Sequence, residues 1–270
     1  MRGLLLGLAL ALALGTGVSG ASGRVVESML GFHAGMAHSG SPAVAADSGS
    51  PAVAAHSGSP AVAADSVGAV RIAGLWWMKE NLQSTTYRNG DSIRNGTSDR
   101  AAWTNQTTGA YAYPDSNATY PSFWGLLYNW YAVSDPRGLC PAGWRLPTHQ
   151  EWDALTKALG GETKAGALLK ARLGWFPGEE GQDSLGFRGL PSGFRGGDGT
   201  FGGIGAYAYW WSSTPSGING AWGRFVDGRQ PSVFMMDGYK RSAFSVRCVR
   251  PATNAKTATK SKPSNKSKAR

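Results

Sequence analysis

The chain has 270 residues, a formal net charge of +10, 41% hydrophobic residues and only 16% charged ones, with 39 glycines and 11 tryptophans. So many aromatic residues exclude a wholly disordered protein, and apolar runs so broken by Gly exclude a multi-span membrane protein. A folded, loop-rich domain is required, and its sequence must be found between two atypical ends.

Arg2 precedes an apolar run from Leu4 to Leu14 and then small residues through Gly23, the layout of a secretory signal peptide. The run falls short of the roughly 20 residues of a membrane span. No Cys lies near the expected cleavage region, so a non-lipidated exported protein is expected, in the periplasm, at the cell surface or secreted. Residues 1–23 are assigned to the signal.

Residues 24–66 follow, with a nine-residue repeat from Ala37 (AHSGSPAVA, ADSGSPAVA, AHSGSPAVA). Each unit offers too little apolar surface to offset the entropy of ordering, so a disordered spacer is expected. His38 and His56 recur there but are held in no preorganised ligand set, and no metal or cofactor is expected.

Within residues 67–250 lies every Trp. After Pro147, Thr148 and Glu151 form a capping-box pattern, with Trp152, Leu155 and Leu159 along one helix face before Gly160–Gly161. A second helix is predicted over Thr163–Leu173. Short strands are predicted at Tyr207–Ser212, Gly220–Val226, Ser232–Met236 and Ala243–Val249. This is an α+β domain with few regular elements and long loops. The two cysteines, Cys140 and Cys248, suit an oxidising compartment, either as a pair or as two separate buried thiols.

The tail, residues 251–270, carries six basic residues and no acid, hence six of the ten net positive charges. It reads as a disordered basic segment that contacts acidic envelope polymers, with no specific nucleic-acid partner.

The segments VRIAGLWWMKENL, GLLYNWYAV, GLCPAGWRLPTHQEWDAL, AGALLK, GFRGLPSGFR, YWWSST and FSVRCVR, spread over residues 70–250, resemble the Fibrobacter succinogenes major paralogous domain. The resemblance implies an extracellular or periplasmic domain related to C-type-lectin-like and formylglycine-generating-enzyme folds. It also implies that Cys140 and Cys248 are disulfide-bonded, and that the strand near Val70 pairs with the one at Phe244–Val249.

Enzymatic constellations are weak. Formylglycine-type oxidase chemistry would need a third cysteine. Ser212 and Ser213 have no His near them in sequence, His149 reads as an exposed helix residue, and Glu179, Glu180 and Asp183 have no second acid placed opposite. The calcium-binding triplets of C-type lectins are missing from the sequence.

A non-enzymatic module is therefore expected, recognising glycan or protein through its C-terminal aromatic residues. The alternative is a structural or assembly component of the cell envelope. In a strand at 207–211, Tyr207, Tyr209 and Trp211 share one face and Trp210 the other. With Trp210 packed inward, Tyr207, Tyr209 and Trp211 would form an outward row, and Trp222 would complete the ligand-binding set. Trp130, Trp144 and Trp152 are read as core.

Overall fold

The computed structural model describes residues 68–252. The expected signal peptide and repeat spacer, and all of the basic tail beyond Ala252, lie outside the described residues.

In chain order the elements are β1 (Ala69–Ile72), β2 (Leu75–Met78), β3 (Arg94–Asn95), α1 (Arg100–Thr104), β4 (Ala110–Ala112), α2 (Pro121–Trp124), β5 (Leu127–Asn129) and α3 (Trp130–Val133). The two longest helices follow, α4 (His149–Ala158) and α5 (Glu162–Leu169). The rest is sheet: β6 (Ser192–Arg195), β7 (Phe201–Ile204), β8 (Tyr207–Pro215), β9 (Gly220–Asp227), β10 (Val233–Tyr239), β11 (Ala243–Phe244) and β12 (Val249–Pro251). The expected α+β class therefore holds, with sheet dominant and helices short.

α4 begins where its sequence dictates. The Thr148 side chain accepts the Glu151 backbone N–H, and the Glu151 carboxylate accepts that of Thr148, closing the box. Gly160 and Gly161 then adopt positive φ and end it. α5 stops at Leu169 rather than Leu173, with Lys170 already extended. Its Gly166 lies so close to the Ser232 carbonyl that a Cβ there would come within 2.1 Å, which seats α5 against the start of β10.

Two sheets organise the domain. The larger runs β10-β9-β8-β6-β11-β5-β4-β3, with β7 paired to β6; the smaller is β1-β2-β12. The first strand is not paired directly with the last, as the resemblance implied. β2 lies between them, pairing with β1 through Trp77–Val70 and with β12 through Trp77–Val249. The expected single strand over Ala243–Val249 is likewise two, because residues 246–248, after a last bridge from Ser245 to Trp210, leave the large sheet to reach the small one.

The large sheet is covered on both faces. On one, Ala208, Trp210, Val226 and Val233 pack with Trp152, Leu155 and Leu169 of the helices and with Val70, Trp77 and Val249 of the small sheet. On the other, Tyr209, Trp211 and Phe244 pack with Tyr128, Trp130, Leu139 and the Cys140–Cys248 disulfide. That bridge spans 108 residues and ties the loop before α4 to the last segment of the domain.

Candidate functional site

β8 holds three of the four aromatic residues expected to bind a ligand, and their alternation is as expected: Trp210 on one face, Tyr207, Tyr209 and Trp211 on the other. The outward row is not formed. Trp211 is 0% exposed and donates from its indole to the Tyr128 carbonyl at 2.8 Å, while Tyr209 is 8% exposed. β8 is an interior strand of a sheet covered on both sides, so inward packing of Trp210 does not free the opposite face. Trp222 does not join the set either: its ring lies 5.1 Å from that of His149, on the α4 side of the sheet.

What is accessible is the far end of the same ring series. Phe244, Tyr209, Phe225 and Phe234 form a cross-strand stack over β11, β8, β9 and β10, with centroid separations of 5.2, 5.4 and 4.8 Å and interplanar angles of 22°, 25° and 20°. Register produces it, because Tyr209 lies opposite Phe225 and Phe225 opposite Phe234. Burial falls along the stack, from Phe244 at 0% to the half-buried Phe225 and Phe234. β10 is the edge strand of the sheet, so the stack ends there. Half-buried Tyr207 and Phe194 flank it, Phe194 edge-on to Tyr209. Together these rings make an aromatic shelf.

A polar groove of about 410 Å³ lies beside the shelf, lined among others by Lys170, Glu180, Gln182, Arg229 and Gln230. The Lys170 ammonium donates to the carbonyls of Glu179 (2.8 Å) and Gly228 (2.5 Å), clamping the two loops that form the groove. Burial lowers its pKa, opposed by Glu179, Asp227 and Glu180. Arg229 joins groove to shelf. Its guanidinium binds the Asp227 carboxylate at 2.8 Å and donates to the Tyr207 hydroxyl at 2.7 Å. Desolvation opposes ionisation of Asp227, yet its bonds to Arg229 hold its carboxyl below the usual range.

On the α4 side, His149, Asp153 and Arg224 form a closed polar cluster beneath Trp222. Buried Arg224 binds the Asp153 carboxylate and approaches His149 Nδ1 at 3.3 Å, while His149 Nε2 lies 3.4 Å from Asp153. His149 is thus not the free surface residue expected; its side chain is 20% exposed and it is the first residue of a helix held on β9. Burial and the Arg224 charge both lower its pKa, against the opposing pull of Asp153. Ser212 is fully buried and Ser213 donates to the Pro147 carbonyl at 3.3 Å. The cluster fastens helix to sheet.

Sequence reasoning named Tyr207 but missed Phe234, Arg229 and the groove. The readable signal was register: two predicted strands, Gly220–Val226 and Ser232–Met236, each with a Phe that a short hairpin sets opposite the other.

Residues 70–250 match the Fibrobacter succinogenes major domain, and the chain belongs to that family. No curated protein matches the chain.

Proposed function

We propose that this is an exported, non-enzymatic binding module that recognises a glycan along the shelf of Tyr207, Phe225 and Phe234 and the groove beside it. One observation carries the reading: Arg229 lines the groove and is bonded to Tyr207, so its guanidinium links the polar groove to the ring surfaces of the shelf. A sugar needs both, apolar C–H faces on aromatic rings and hydroxyls on a few fixed polar groups. Export is supported by the signal-like N-terminus and by the disulfide, which belongs to oxidising compartments. A relation to the C-type-lectin-like folds is part of the proposal, supported by the many loops and by the small sheet that gathers both ends of the domain. The recognition proposed does not use the calcium-binding triplets of those lectins, which the sequence lacks.

The test is a glycan array and polysaccharide pull-down with the full oxidised chain and its Phe234→Ala and Gln182→Ala variants. Binding that both folded variants weaken supports the reading. Binding unchanged in both overturns it, as does retention on cells with no glycan bound, the outcome expected of a structural envelope component.

A further inference from the structure

The small sheet turns Val70, Ile72, Trp77 and Val249 into the core. Alternation along each strand directs Arg71, Trp76 and Arg250 to the opposite side. Register then sets them abreast, Arg71 opposite Trp76 and Trp76 opposite Arg250. A bridge between Arg145 and Val249 brings Trp144 in beside them. The Arg250 guanidinium lies 5.0 Å from the Trp144 ring and 5.9 Å from the Trp76 ring, and all four residues are half-buried.

We propose that the row Arg71–Trp76–Arg250–Trp144 is a second binding surface, and that its occupant is an acidic polysaccharide built of uronate sugars. Each element of the row has a counterpart in that polymer. Guanidinium forks match carboxylates, and indole faces match the C–H faces of pyranose rings. Holding Arg250 between two indoles fixes its direction before any ligand arrives. Adjacent strands are about 4.8 Å apart, so Trp76 and Trp144 recur at roughly 10 Å, and a chain crossing the strands meets indole and guanidinium in alternation.

Charge favours the same occupant. The chain carries +10, and its tail, with six basic residues, begins at Pro251, immediately after Arg250. Cys248, two residues before Arg250, is in the disulfide, a bond that belongs to oxidising compartments, where acidic polysaccharides are among the polyanions a surface meets.

The test is affinity electrophoresis of the full oxidised chain through gels holding polygalacturonate or neutral hydroxyethylcellulose. Trp144→Ala, Arg250→Gln and a variant with the six tail residues changed to Gln are run beside it. Retardation by polygalacturonate alone is expected. Trp144→Ala, by loss of a stacking ring, and Arg250→Gln, by loss of a charge-assisted contact, should each weaken it by about tenfold, with the tail native or neutralised. If Arg250→Gln fails to fold, as judged by near-UV circular dichroism, Trp144→Ala decides. The proposal is overturned if the tail variant abolishes retardation while Trp144→Ala changes nothing, if the neutral gel retards equally, or if single-stranded DNA or anionic vesicles compete more strongly than free polygalacturonate. Ile218→Ala, at an exposed turn that belongs to neither surface, should leave this retardation unchanged.

Discussion

Phe225 and Phe234 stack across the outermost strand pair of the large sheet, their centroids 4.8 Å apart and their planes 20° from parallel. Phe234 is therefore the last ring of a series that starts in the core at Phe244, and its orientation is fixed by the three rings behind it. A rigid, half-buried ring at a sheet edge loses little entropy when a ligand stacks on it.

This relationship separates stability from binding. Trp211→Ala should cost about 3–5 kcal/mol, as expected for a fully buried Trp, because it empties the core beside Phe244 and removes the indole bond to the Tyr128 carbonyl. Phe234→Ala, at the half-buried edge, should cost only about 1–2 kcal/mol. Urea unfolding of the two variants checks the difference.

Reduction of Cys140–Cys248 releases a loop of 108 residues. Chain entropy gives a loss of about 2–5 kcal/mol. Thermal unfolding with and without a reductant measures it, and equal melting temperatures would contradict the role assigned to the bridge.

Thr148→Ala removes the acceptor for the Glu151 amide. The expected destabilisation is about 1 kcal/mol, and Thr148→Ser should recover most of it. Denaturant midpoints of the three proteins provide the comparison.

Stability should also depend on pH through His149. Its folded pKa lies below its ordinary value, first because of burial and then because of Arg224. In the window just below about 6.5 the unfolded chain binds a proton that the folded chain refuses, so stability falls as pH falls through the ordinary His value. It is the one His among the described residues. His149→Gln should flatten the stability profile between about pH 6.5 and 5, whereas carboxylates with lowered pKa, such as Glu151 and Asp135, act at lower pH.

Local rules read well from the sequence. The capping box at Thr148 and Glu151, the strand alternation at Tyr207–Trp211 and the strands after Gly205 all depend on neighbours a few residues apart. Long-range partners did not. Nothing in YWWSST says that Trp211 lies over Phe244, or that helices and loops cover both faces of β8. Trp144, read as core, is half-buried beside Arg250. Buried arginines were the least legible. In FSVRCVR, Arg247 alternates with apolar residues as a solvent-facing strand residue would, yet it is fully buried. It is satisfied by Asn81 and by the carbonyls of Met78, Phe187 and Arg188, and burial lowers its pKa to about 9. Arg195 is held similarly, donating to the Gly96 carbonyl over the Trp103 ring.

The most direct measurement is an NMR titration of the ¹⁵N-labelled, oxidised full chain with an oligosaccharide drawn from the array. Shift changes centred on Tyr207, Phe225, Arg229 and Phe234 are expected, with the indole signal of Trp211 unmoved. Saturable changes confined to other residues, or none at ligand concentrations that saturate the array signal, would contradict the assignment of the shelf and groove as the recognition site.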